Sequence, residues 1–320
     1  MSIMRETLWP RRSLEKPVDV VGLGEISVDH LCVVDAWPVP GEKMELLRSE
    51  TRAGGQVASA LLGCVRLGLR AAYLGSVGTD PGSEVALRPL IRAGVDIEGV
   101  RKRSGARTRS ATILVRGSDG ERTILADRDP RLKISSAELE TREIEQGRLL
   151  HLDASDPDAA LWAARQARKA DVPITLDVDS TGFEPERLLA ETDFPVVSRS
   201  FAESWGGTGD LQDGLRRLAD AGARLAVVTC GAEGAWARHA DQVVHVPAFA
   251  IDPADTTGAG DAFHAGFIWA VLQGETGEGA LRSAHAVAAL ACAALGAQAG
   301  LPRMAELEHF LGQTPPLRGD

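Results

Sequence analysis

Short runs of continuously apolar residues alternate along most of this chain with stretches in which apolar positions recur at helical spacing. Residues 18–23, 71–77, 149–153, 174–179, 195–198 and 225–230 are of the first kind, the pattern of strands buried on both faces. Between them, residues 85–93, 158–170 and 210–221 read as helices, and Leu61, Leu62, Val65 and Leu67 mark another that closes at Gly68. Such alternation predicts an α/β fold, a mostly parallel sheet with helices on both faces. Further on, 262–273 places Phe263, Phe267 and Val271 on one helical face, 280–294 is rich enough in alanine to demand close packing, and a last helix spans 305–311. Segments 43–51 and 110–115 alternate partly outside this rhythm and predict a small separate sheet. Residues 1–17 mix charge and proline without periodicity and read as a flexible arm. The rest, 18–320, reads as one main domain, with the small sheet drawn from 30–53 and 106–126.

Ligands of such sheets bind beyond the carboxyl ends of the strands. Asp29, Asp153, Asp177, Asp179 and Asp261 stand at or just past expected ends, the first strand running on towards Asp29, and are expected to line one cleft.

Composition narrows the partners. With 320 residues, 44% hydrophobic and 25% charged, the chain has a soluble composition and ample apolar residues for a core. A net charge of −10 argues against a general nucleic-acid or membrane-surface binder, because both rest on basic surface, and favours small molecules. Cys32, Cys64, Cys230 and Cys292 are too scattered for a zinc pair or a disulfide framework and read as buried or incidental thiols. No apolar run is long enough to span a bilayer, and the charged arm lacks a signal-peptide core, so the expectation is a cytoplasmic protein.

The chemistry concentrates at Asp255-Thr256-Thr257-Gly258-Ala259-Gly260-Asp261, read as a turn between an alternating strand at 243–249 and the helix from 262. Glycines at a helix start leave backbone N–H groups unpaired and aimed at one spot, where the helix dipole adds positive character, so an anion such as phosphate is the natural occupant. Asp261 puts a carboxylate beside it, and cradle plus base suggests phosphoryl transfer. Gly54 and Gly55, before another helix, permit close approach of a ligand to backbone. Gly22 and Gly24 could open a dinucleotide fingerprint, but Ser27 stands where its third glycine belongs, which disfavours an NAD-dependent oxidoreductase. No Walker loop occurs.

Over nearly all of residues 18–311 the chain resembles the ribokinase-like (PfkB) carbohydrate kinases. The 255–261 stretch is similar to their C-terminal signature, Gly54-Gly55 to the N-terminal one, Thr229-Cys230-Gly231-Ala232-Glu233-Gly234 to the nucleotide-binding loop, and Ala284-His285-Ala286 to the helix flanking adenine. The resemblance implies a ribokinase-like fold with a small β-sheet lid, and ATP-dependent transfer to a sugar hydroxyl. Asp261 would be the general base, and Gly258, Ala259 and Gly260 would donate backbone N–H groups to the phosphoryl. Asp29, Gly54, Gly55 and Ser59 would meet the sugar, with Ser59 standing where the family has asparagine. Thr229, Gly231, Gly234 and His285 would meet the nucleotide. Glu203, in Ser200-Phe201-Ala202-Glu203, would order water around Mg2+, although Ser200 replaces the family's asparagine; Asp255 and Thr257 would help hold a monovalent cation such as K+.

The resemblance also implies a lid that excludes water and pairs into a homodimer, for which an exposed strand edge gives a physical reason. A carboxylate at the sugar end suits a neutral polyol. Arg101, Lys102, Arg103, Arg107, Arg109, Arg128 and Arg131 offer two readings, recognition of an anionic substrate or a solvated basic face, of which the second is preferred. A nucleoside kinase on the same scaffold and a sugar- or nucleotide-binding protein without turnover are the rival readings.

Overall fold

In the computed structural model, which describes residues 4, 6–9, 15–178 and 185–313, the chain builds two sheets and helices on both faces of the larger one. It enters the large sheet with β1 (Val18–Leu23), leaves for the small sheet with β2 (Ser27–Val34) and β3 (Arg48–Gly54), and returns through α1 (Gln56–Arg66) to β4 (Ala71–Gly78). Next come α2 (Gly82–Ala93) and β5 (Val100–Arg103), then β6 (Ser110–Arg116) and β7 (Arg122–Asp127) of the small sheet, and α3 (Thr141–Glu145). The second half runs through β8 (Gly147–Asp153), α4 (Pro157–Lys169), β9 (Ile174–Val178), α5 (Glu186–Leu189), β10 (Phe194–Ser198), α6 (Arg199–Gly206), α7 (Leu211–Asp220) and β11 (Ala226–Thr229). An edge hairpin, β12 (Ala235–His239) and β13 (Gln242–Val246), precedes α8 (Ala259–Gln273), α9 (Gly277–Ala291) and α10 (Met304–Gln313).

The large sheet is ordered β13-β12-β11-β10-β9-β8-β1-β4-β5. It is parallel from β11 to β5 and antiparallel only in the hairpin. Parallel strands covered on both faces must be apolar throughout, and β1 is buried along its whole length. Val20 packs into one hydrophobic layer with Phe267, Val271, Leu281 and Val287 of α8 and α9. Val21 and Leu23 pack into the other, with Ala163 and Ala167 of α4 and Phe201 of α6. The alanines expected to pack closely do so: Ala280 and Ala284 of α9 are fully buried, and a Cβ added at Gly266 of α8 would lie 2.7 Å from the Ala284 Cα.

The small sheet, β3-β2-β6-β7, buries Leu31, Ala111, Ile113 and Val115 on one side. Its edge strand β7 is exposed along its whole length.

Four expectations change. The first strand stops at Leu23 rather than near Asp29, because Asp153 at the end of β8 accepts the Glu25 N–H at 2.6 Å and draws the chain out of the large sheet; Asp29 therefore sits within β2. The alternating run at 243–249 is the second strand of a hairpin ending at Val246, and residues 247–258 separate it from α8. The strand expected at 43–51 begins later, at Arg48. The arm is docked where it is described: Leu8 is fully buried, its N–H donates to the Glu275 carbonyl at 2.9 Å, and Trp9 meets Phe194 edge-on at 6.3 Å. A two-residue apolar patch has no periodicity to reveal it. Asp179 lies outside the described residues.

Gly266→Ala is expected to destabilise the fold by about 1–3 kcal/mol through overpacking against the α9 backbone. Urea unfolding should show a lower midpoint with an unchanged slope.

Candidate functional site

Beyond the carboxyl ends of the strands the loops bring three groups of residues together. At one end, Asp255 is fully buried and both of its oxygens are taken by backbone: Oδ1 accepts the Thr257 N–H at 2.8 Å and Oδ2 the Gly296 N–H at 2.7 Å. This carboxylate clamps the 255–261 loop to the turn after α9. Gly258 then adopts φ 77°, a left-handed conformation that favours glycine, and a Cβ there would lie 2.5 Å from the Ala297 Cα. A Cβ at Gly260 would meet nothing within 4 Å, so the N-terminus of α8 opens onto free space. The N–H groups of Gly258 and Gly260 have no acceptor among the described residues, whereas that of Ala259 turns to the Thr256 carbonyl at 3.2 Å. Asp261 stands half-buried in the first turn of this helix. A helix terminus with free donors over an open volume is an anion site.

The turn between β6 and β7 rests on the same loop. Thr256 donates through Oγ1 to the Gly120 carbonyl at 3.0 Å, and Arg122 donates through Nη1 to Thr256 Oγ1 at 3.0 Å. A Cβ at Gly120 would stand 3.3 Å from the Asp255 Cα. Arg122 was not singled out in the sequence; its only signal was its place on a strand of the small sheet.

At the other end, Asp29 is buried against the backbone of Gly54, where a Cβ would lie 1.9 Å from its Oδ2. Gly55, at φ 96°, turns the chain into α1 so tightly that its Cβ would stand 2.5 Å from the Ile26 Cα. Burial pushes the Asp29 carboxyl up to about 6; the Ser27 hydroxyl, donating at 2.7 Å, opposes this, and the charges of Glu25 and Asp255 add to it. Asp255 thus acts electrostatically on Asp29, so the two ends are neighbours. Asp153, also buried, accepts from the Glu25 and Ser155 N–H groups at 2.6 and 2.9 Å, yet burial and the Glu25 charge push it up to about 7. Asp177, its neighbour on β9, accepts from Gln56 Nε2 at 3.2 Å. Ser59 is fully buried, its hydroxyl accepting from Gln298 Nε2 at 3.3 Å, and so supports the turn at 296–302.

The arginines separate clearly. Arg101, Arg103, Arg107 and Arg131 pair with Glu143, Glu138, Asp127 and Asp129. Of this set, Arg109 and Arg128 lie towards Glu25 and Asp153, and each faces a carboxylate there, Asp156 at 3.5 Å and Glu25 at 2.9 Å.

The third group follows β11. Thr229 Oγ1 donates to the Val197 carbonyl at 3.2 Å, Gly231 to Glu233 form one tight turn, and a Cβ at Gly231 would meet open space. Gly234 presses on β13, its Cβ position 2.2 Å from the Val246 carbonyl. Arg199, at the start of α6, forks onto Glu233 at 2.9 and 2.5 Å. Glu203, farther along α6, lies close enough to Cys230 to raise its thiol, after burial and against Arg199. His285 is buried edge-on to Phe263 at 5.0 Å, and burial lowers it to about 4, so it is neutral.

These residues fit a nucleoside triphosphate, with open backbone at Gly231 and at Gly260. Among the described residues no three His, Cys, Asp or Glu side chains converge as metal ligands. No described helix is long and apolar enough to cross a membrane.

The pfkB family carbohydrate kinase profile matches residues 18–304. The ATP-dependent ribose-1-phosphate kinase of Halopiger xanaduensis is 31% identical over 301 residues, covering 92% of this chain and 99% of its own length. A candidate ribokinase from Agrobacterium tumefaciens superposes with a TM-score of 0.86 at 29% identity, over 92% of this chain and 98% of its own. A candidate ribokinase II from E. coli, solved with ATP and Mg2+, shares the fold with a TM-score of 0.80 at 22% identity, over 92% of this chain and 99% of its own.

A carboxyl raised from an ordinary value of 3.8 to about 7, as at Asp153, favours the native state only below about pH 4, and that stability is lost as pH rises towards 7. Asp153→Asn removes the titrating group, so its stability relative to wild type should climb across that window. Urea unfolding at a series of pH values checks this; a flat difference contradicts it.

Proposed function

We propose, for a chain that belongs to the pfkB family of carbohydrate kinases and is an ATP-dependent carbohydrate kinase, that it phosphorylates a hydroxyl of an uncharged sugar with Asp261 as the general base. The observation that carries this reading is the pairing of an open α8 N-terminus with a sugar end where carboxylates outnumber cations. Asp29 and Asp153 offer acceptors to hydroxyl donors, while Arg109 and Arg128 are already faced by Asp156 and Glu25. A second anionic group beside Asp29 would find Arg109 and Arg128 already opposed by carboxylates.

Phosphoryl transfer asks for positioning and charge stabilisation more than for a strong base. Asp29, Gly54 and Gly55 hold and orient the sugar, and Asp261 takes the proton of the attacking hydroxyl. The N–H groups of Gly258 and Gly260, with the α8 dipole, draw the transferring phosphoryl towards it. The β6–β7 turn, resting on Thr256, closes the site against water and brings the Arg122 guanidinium to the same loop. ATP would bind along Thr229, Gly231 and Gly234; Mg2+ would neutralise phosphate charge there, and Glu203 would help hold it through water. A monovalent cation such as K+ would sit beside Asp255 and Thr257, in keeping with the buried Thr257 Oγ1, which has no hydrogen-bond partner among the described residues.

The small sheet supports a homodimer. Ile124 and Leu125 on the edge strand β7, and Met44, Leu46 and Leu47 in the segment leading into β3 at the opposite edge, are large apolar side chains left in water.

An ADP-release assay over neutral sugars, sugar phosphates and nucleosides tests the substrate reading. Neutral sugars should give the highest kcat/KM, and Asp261→Asn should lower kcat by roughly 10² to 10⁴ with nucleotide binding intact. Preference for a sugar phosphate or a nucleoside, or near-normal turnover in the variant, would sink the respective part. For the dimer, light scattering at micromolar concentration should give twice the chain mass, and Leu125→Glu should shift it towards monomer.

A further inference from the structure

Asp177 carries no role in the chemistry above, yet it joins the two helices that define the site. It is the penultimate residue of β9 and is buried beside Asp153. Its Oδ2 accepts from Gln56, the first residue of α1, which directly follows the Gly54–Gly55 turn. Its Oδ1 lies 3.4 Å from Nε2 of His264, three residues and so one turn beyond Asp261 in α8. His264 is 3% exposed, and burial lowers it to about 3, so the imidazole is neutral and has a single N–H to offer. Its Nδ1 has no hydrogen-bond partner among the described residues, which leaves Nε2 as the nitrogen with an acceptor in reach. His151, whose ring lies 5.1 Å away and whose Nδ1 meets Thr175 Oγ1 at 3.0 Å, closes the other side of the pocket.

α1 and α8 also pack directly, where a Cβ at Gly63 of α1 would lie 2.6 Å from the Cβ of Ala265, one residue past His264, and Cys64 Sγ approaches the Ala265 carbonyl at 3.9 Å. That packing holds α1 at Gly63–Cys64; the shared carboxylate ties its N-terminal end, and the Gly54–Gly55 turn before it, to the same stretch of α8. We propose that Asp177 is a positioning residue which, through Gln56 and His264, sets the separation between the sugar-holding turn and the base Asp261. This rests on Asp261 acting as the base. Loosening the tie leaves each ligand its own contacts but misplaces the hydroxyl relative to base and phosphoryl, an error that falls on kcat.

The test is a double-mutant cycle on the full chain with Gln56→Ala and His264→Phe, the latter keeping ring volume while removing the N–H. Each single variant should lower kcat about tenfold, with sugar KM within about threefold and the Kd for ADP within about twofold. Gln56 and His264 act through one carboxylate, so the double variant should be little worse than the poorer single. Multiplying losses, unchanged kcat in the singles, or a matching loss of ADP affinity overturns the proposal. Should His264→Phe fail to fold, Gln56→Ala combined with Asp177→Asn supplies the same cycle. Wild-type protein inactive on every sugar, or an unimpaired Asp261→Asn, overturns the reading beneath the proposal; an active wild type with multiplying or absent losses overturns the positioning role alone.

Discussion

A carboxylate taken out of water must be met by donors, and the architecture of this site follows from how that demand is satisfied. Asp255 and Asp153 each hold two backbone N–H groups, and in doing so they fix the loops of the candidate site: one pins the 255–261 loop to the turn after α9, the other turns the chain after β1 into the small sheet. Asp29 has the Ser27 hydroxyl, and Asp177 the Gln56 amide with the His264 ring beside it. The demand is incompletely met at Asp29 and Asp153, whose carboxyls are held above their ordinary range. On the proposed function, a ligand rich in hydroxyl donors would complete what the protein leaves unfinished there.

The sheet was legible because its signal is redundant. Six apolar runs, most of them separated by helical spacing, read as buried strands, and all six fall on strands of the large sheet. The β12 strand and the docked arm were not legible, since a five-residue hairpin strand and a pair of apolar residues are too short for periodicity. At the site, the glycines were readable because turns into helices demand them, and Asp153 and Asp177 because they end strands. Arg122, Gln56 and Glu25 were invisible for a different reason. A polar side chain reveals its partner only in three dimensions, and nothing in the spacing of Gln56 and Asp177 announces that they meet.

The same limit governed the arginines. In sequence they form one basic stretch that suits either a bound anion or solvent; in space four are neutralised away from the site and two are opposed within it. Charge count along a chain says little about potential in a pocket, because the low dielectric there weights the nearest opposite charge above all others.

Gly120 gives the joint between the two sheets its fit. Its carbonyl takes the Thr256 hydroxyl while its Cα passes within a methyl's breadth of Asp255. Every bulkier residue at this point would act as a wedge, holding a seam open along the compartment where the phosphoryl group crosses. On the function proposed above, the smallest side chain in the protein would thereby limit leakage, the fraction of phosphoryl groups lost to solvent instead of delivered to the sugar.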